Sequence, residues 1–156
     1  KFIFKLLDAD KAAMGEFVVD DPWLAVLEMK NKAKAELTIV ENIYYASGDF
    51  KFDDAGQKVM DKIITVLNSN LKLVIEVSSH TDSRSSDVFN LALSKKRADF
   101  VINYMIAKGI NKIRLKAIGY GETKLLNKCS NDVECTDDEH KINRRTEFKI
   151  NEQANL

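Results

Sequence analysis

Between Asp53 and Ser79 the spacing of apolar residues changes once, and that change constrains the fold more than any other feature. Val59, Ile63 and Val66, with Met60, Ile64 and Leu67, recur at three and four residues, which lays an apolar stripe along one face of a helix. Past Asn68, Ser69 and Asn70 the period drops to two, with Leu71, Leu73, Ile75 and Val77 alternating against Lys72 and Glu76. That is a half-buried strand. Upstream, TIVENIYY is rich in β-branched and aromatic residues and reads as a strand closed by a Gly48/Asp49 turn, with Asp53 or Asp54 placed to cap the helix.

Downstream, HTDSRSSD forms a polar loop, a long helix runs from about Asn90 to Lys108, and Gly109 stands at its C′ position. Ile113 to Ile118 gives a third strand, Gly119 and Gly121 break it, and TEFKI supplies a fourth. The simplest packing for this order is an α+β two-layer domain, with two main helices on one face of a small mixed sheet. The division expected is an appendage or linker over residues 1–38 and a domain over 39–156. The first part holds the apolar FIFKLL, a Gly15 break and WLAVLEMKNKAKAEL, a plausible helix with Pro22 at its first position.

The chain has 156 residues and 45% hydrophobic content, enough for one compact core. Lys+Arg and Asp+Glu are equal at 24 each, so no net field favours nucleic acid or an anionic membrane surface. No apolar run approaches the roughly 18 residues that a membrane span requires. The start at Lys1, with neither an initiator Met nor a signal-peptide pattern, reads as a mature or excised segment whose membrane anchor lies elsewhere. Cys129 and Cys135 sit in the polar stretch CSNDVECTDDEH. A loop disulfide fits an exported protein; a metal site using His140 and a nearby acid lacks the paired C-x-x-C spacing, and free thiols are the third reading.

One residue is out of place. Leu93, Arg97, Val101, Tyr104 and Met105 share one face of the second long helix, while Lys95, Lys96, Asp99 and Asn103 share the other. Arg97 therefore lies on the apolar side, in the half of the helix where the backbone dipole gives a cation no help. A guanidinium there requires a carboxylate close by. Two readings follow: an internal pair with Asp82, or a clamp in which Arg97 takes the carboxylate and Asp82 the ammonium of an α-amino-acid centre.

Taken together, HTDSRSSDVFNLALSKKRADFVINYMIAKGI, IGYGE and NRRTEF resemble the OmpA-like domain, over roughly Val40 to Ile150. The resemblance implies a β-α-β-α-β-β fold and non-covalent binding of peptidoglycan through the meso-diaminopimelate of its stem peptide. It implies that Asp82 and Arg97 clamp that diamino acid, with Thr81 beside Asp82 and Asn90 as a pocket-side amide. The NRR block maps onto Asn143, Arg144 and Arg145. Arg144 shares strand parity with Thr146, Phe148 and Ile150 and is favoured for the pocket over Arg145. The family's Gly before HTD is Ser79 here, the Gly after TDS-R is Ser85, and its first acidic loop is ASGDFKFDD, where Asp49 stands in.

By this resemblance the chain is periplasmic, attached to the outer membrane through another part of its parent protein, with peptidoglycan and possible outer-membrane proteins as partners. No cofactor, metal or enzymatic activity is expected. A triad from His80, Asp82 and Ser78, Ser79 or Ser83 crowds its members into a few residues and has no G-x-S-x-G elbow. His80 is expected as a hydrogen-bonding loop residue, His140 as a surface residue, and GYGE as a turn. The alternative function is a protein-interaction or assembly module of the same fold.

Overall fold

The computed structural model describes residues 2–7, 13–19 and 35–152. Its elements in chain order are β1 (Phe2–Leu7), β2 (Ala13–Val19), β3 (Ala35–Tyr44), α1 (Asp54–Ser69), β4 (Leu73–Ser79), α2 (Asp87–Ala107), β5 (Leu115–Gly119), α3 (Asp137–Asn143) and β6 (Arg145–Glu152). The sheet runs β2-β1-β3-β6-β4-β5. Only β4 and β5 are parallel, as a helical crossover such as α2 requires, and the other neighbours are antiparallel.

The expected α+β architecture is present. The β4 residues alternate between buried and half-buried along the whole strand. The buried set meets Met60, Ile63, Val66 and Leu67 of α1, Ala98, Val101 and Met105 of α2, and Phe148 and Ile150 of β6 in one core. Phe52 fills the seam beneath the helices, edge-to-face on Phe100 at 5.2 Å and on Tyr104 at 5.1 Å. Asp53 caps α1 by accepting from the Gly56 amide, and Gly109 follows α2 at φ +92°, a geometry that favours glycine.

Four local features differ from the sequence reading. Strands β1 and β2 extend the sheet beyond β3, and Ala35–Leu37 of the suggested WLAVLEMKNKAKAEL helix lie in β3; residues 23–34 are outside the described residues. The third core strand starts at Leu115, after a 3₁₀ turn over Lys112–Arg114. That turn swings Arg114 inward, where its guanidinium donates to the carbonyls of Leu67, Asn70 and Leu73 and closes the C-terminal end of α1. The polar stretch after Cys135 contains α3, opened by a capping box in which Thr136 and Glu139 satisfy each other's backbone amides.

Cys129 and Cys135 are joined, with Cα atoms 5.9 Å apart. The GYGE segment is a turn docked tightly on α2: a Cβ at Gly119 would lie 2.5 Å from the Lys95 amide nitrogen.

Candidate functional site

Where β4 ends and β6 begins, four chain segments converge on a cavity of about 160 Å³. The loop after β3 brings Ser47 and Gly48, the β4–α2 loop brings Thr81, Asp82, Arg84 and Ser85, the first turns of α2 bring Phe89, Asn90, Leu93 and Arg97, and the α3–β6 junction brings Arg144. Five of the seven ligand-binding residues expected from sequence, Asp82, Arg97, Asn90, Thr81 and Arg144, thus line one space.

Arg97 is fully buried, but no carboxylate pairs with it among the described residues, so the internal pair with Asp82, one of the two readings from sequence, is not formed. Its Nε donates to the Asp49 carbonyl at 2.7 Å, Nη1 to the His80 carbonyl at 2.8 Å and Nη2 to the Ala46 carbonyl at 3.3 Å. The guanidinium also lies 4.5 Å from the Tyr45 ring centroid. Carbonyl dipoles and a ring face replace the missing anion. Burial pushes the Arg97 group down to about 10, so it stays charged at neutral pH. A guanidinium has five N–H groups, and three are occupied.

Asp82 pairs with other arginines. Arg84 Nη2 lies 2.7 Å and Arg144 Nη1 3.1 Å from its Oδ2, with Arg84 Nε at 3.2 Å on the same oxygen. Its Oδ1 takes only the Arg84 amide, at 3.1 Å. Burial alone would raise this carboxyl, but the hydrogen bonds from Arg84 and Arg144 outweigh it and hold Asp82 below its ordinary value. Asp137 braces both arginines from α3, 3.0 Å from Arg84 Nη2 and 3.4 Å from Arg144 Nη1. Arg144 is anchored as well by donating to the Tyr45 carbonyl at 2.9 Å.

The remaining expectations divide. Asn90 is buried and donates to Glu122. Thr81 is buried with no hydrogen-bond partner for its hydroxyl. Asp49 serves through its carbonyl, while its residue is exposed and outside the cavity lining. Arg145 is buried but turned away, donating to Glu147 Oε1 at 2.6 Å and to the carbonyls of Asn143 and Lys124.

Both histidines depart from their expected roles. His80 makes no side-chain hydrogen bond and instead stacks on Tyr120 at 5.3 Å. His140 is buried rather than on the surface. Ser83 donates to the Cys129 carbonyl at 2.6 Å and Ser79 bonds Thr146 at 2.6 Å, so neither hydroxyl is aligned on His80 as a triad requires. Arg84 was missed by sequence reading. Its only signal was position: a cation two residues after an acid in a tight loop closes a local ring onto that acid.

Ser85 explains one departure from the family pattern. It sits at φ +91°, where a side chain costs about 1–2 kcal/mol and glycine costs little. Ser85→Gly should therefore raise the melting temperature by roughly 2–8 °C, and Ser85→Ala should not. Equal effects of the two in a thermal melt would show that the strain is absorbed elsewhere. Ser79 tells a different story. Its hydroxyl joins a buried chain through Thr146 to the Tyr45 hydroxyl, at 2.6 and 2.9 Å.

A family model described as the OmpA family matches residues 44–137. Outer membrane protein P5 of Haemophilus influenzae is 31% identical over 101 residues, 65% of this chain but 27% of that protein. The peptidoglycan-associated lipoprotein of the same organism is 33% identical over 92 residues, 58% of this chain and 60% of that protein. The chain thus spans only a part of the curated relatives it matches. Among solved structures, the peptidoglycan-associated lipoprotein of Burkholderia pseudomallei superposes with a TM-score of 0.63 at 22% identity, covering 70% of this chain and 88% of that one. The C-terminal domain of Helicobacter pylori MotB gives 0.62 at 19% identity, covering 74% and 88%. The family match spans more than half of the sequence and includes both the convergent loops and the two long helices, and the chain belongs to the OmpA family.

Proposed function

We propose that this chain binds peptidoglycan non-covalently through the diaminopimelate of its stem peptide, with Arg97 taking the carboxylate and Asp82 the ammonium of one amino-acid centre. One observation carries the reading: a fully buried guanidinium with no carboxylate partner lines an open cavity. Two of its N–H groups remain after three carbonyls are served, which is what a carboxylate accepts. The ammonium end has a matching acceptor. Asp82 Oδ2 is taken by the two arginines, while Oδ1 receives one backbone amide and has room for a second donor. A cavity of about 160 Å³ suits one end of an amino acid rather than a whole muropeptide.

Membership of the OmpA family supports the same reading, as do relatives named peptidoglycan-associated lipoproteins. In this view the chain works in the periplasm and holds the outer membrane to the wall, its anchor supplied by another part of the parent protein. Residues 39–156 form the binding unit. Residues 1–38 carry none of the clamp and are expected to be dispensable for wall binding.

The test is co-sedimentation with protein-free sacculi, with two stem tripeptides as competitors, one containing diaminopimelate and one with lysine carrying an amidated C-terminus in its place. The first should displace the protein and the second should not, because the lysine α-centre is tied up in amide bonds and its side chain ends in an amine with no carboxylate for Arg97. Failure to sediment with sacculi would leave the assembly-module alternative. Thr81→Val makes a gentler probe. The hydroxyl has no partner to lose, so stability should hold or rise slightly, while a lost ligand hydrogen bond should weaken binding roughly 3–10-fold. Unchanged affinity by calorimetry would remove Thr81 from the contact set.

A further inference from the structure

Glu122 sits on the GYGE turn with both carboxylate oxygens taken by side-chain amides. Asn90 Nδ2 donates to its Oε2, and Asn131 Nδ2, from the loop closed by the disulfide, donates to its Oε1 at 3.0 Å. We propose that Glu122 is a positioning residue for the clamp, turning the Asn90 amide so that its oxygen, and not its NH2 group, faces the ligand. The seat for the ammonium then holds two acceptors, Asn90 Oδ1 and Asp82 Oδ1. The assignment rests on the clamp reading and adds how one of its side chains is aimed.

Hydrogen-bond chemistry sets the direction. The two ends of an asparagine amide are alike in shape and opposite in character: the NH2 end donates, the oxygen accepts, and a carboxylate only accepts. With Glu122 beside it, Asn90 can turn only its NH2 end toward the turn. Asn90 is buried and lines the cavity, and its Oδ1 receives no donor among the described residues, which leaves that oxygen for the cavity. A charged acceptor also polarises the amide and strengthens Oδ1. Turned over, the same amide would bring two N–H groups against an ammonium that itself has only donors.

The bond is not needed to hold the turn. Gly121 donates its amide to Ser94 Oγ at 2.8 Å, and its carbonyl accepts the Thr81 amide at 2.9 Å. The turn is also pressed against α2, where a Cβ on Gly121 would lie 3.1 Å from the Leu91 amide nitrogen. Glu122 is therefore fixed by its neighbours, and the Asn90 side chain is what the bond orients.

Titration calorimetry with a stem tripeptide containing diaminopimelate, with thermal melts on the same samples, tests the role through a double-mutant cycle and a reversal. Asn90→Ala should weaken the tripeptide about tenfold or more, since the lost bond is to a charged group, and Glu122→Ala about 3–10-fold. Together they should weaken it no more than Asn90→Ala alone, because Glu122 acts only through Asn90. Asn90→Asp combined with Glu122→Gln moves the NH2 group to residue 122 and keeps an oxygen on the cavity, so this pair should bind as wild type does or more tightly. Full affinity in Glu122→Ala, even with a lowered melting temperature, would reduce the bond to a tie between turn and helix and overturn the role. Losses that multiply in the double alanine variant, or a reversed pair that folds and no longer binds, would overturn it as well. Wild type that fails to bind the tripeptide would remove the clamp reading itself, and the role of Glu122 with it.

Discussion

Arg97→Ala should abolish sedimentation with sacculi and lower the melting temperature in the same experiment. Truncating one partner of a desolvated charged hydrogen bond costs about 2–5 kcal/mol, on the order of a hundredfold in affinity and enough to erase micromolar binding. The stability loss has a separate origin. Arg97 ties the carbonyls of Ala46 and Asp49 in the first loop to that of His80 in the second, and its removal strands all three in a buried place. Because both readouts fall, Arg97→Lys separates them. Lysine keeps the charge but not the planar fork, so binding of a carboxylate should drop sharply even in the fraction that remains folded. Sacculus binding unchanged in Arg97→Ala would leave the fold and family standing and remove the mechanism.

The sequence singled out Arg97 through a conflict, a cation on an apolar face, and the structure places that residue on a cavity it shares with Asp82 but does not pair the two. Periodicity located Arg97 because burial of a helix face is a local property. Its partners are carbonyls on two loops, 48, 17 and 51 residues away in sequence. Backbone carbonyls leave no trace in residue identity, whereas an acid such as Asp82 is visible and therefore attracts the assignment. The same limit hid Arg114, which serves three carbonyls. In contrast, α3 was legible and overlooked. Thr136 and Glu139 stand at capping-box spacing, but the charged stretch around them lacks the long apolar stripe that marks α1. Strand parity did place Arg144 on the cavity. It could not foresee that Arg145 would be equally buried, since a guanidinium can be satisfied away from the helices by Glu147 and two carbonyls.

Stability should decline as pH falls from 6.5 to about 4, and His80 should account for most of that decline. Burial drives the imidazole down to about 4, with the nearby Arg145 charge adding to the effect and Glu147 opposing it. Its ordinary value is about 6.5. A base with a depressed folded pKa takes up its proton more readily when the chain is unfolded, so the folded state is fully favoured above pH 6.5 and loses ground below it. The gap corresponds to about 3 kcal/mol by pH 4. Asp82 titrates with the opposite logic for a carboxyl: held below its ordinary value, it contributes stability that is lost only at lower pH, around 4 and beneath. The two windows are therefore separable in denaturant melts across pH 7.5 to 3. His80→Phe keeps a ring against Tyr120 and removes the proton site, so its stability should stay nearly flat between pH 6.5 and 4.5, where wild type falls. The His80 carbonyl also holds Arg97 Nη1 at 2.8 Å, so acid that loosens this residue should weaken ligand binding over the same interval. A His80→Phe protein that loses stability as steeply as wild type would assign the acid sensitivity to another group.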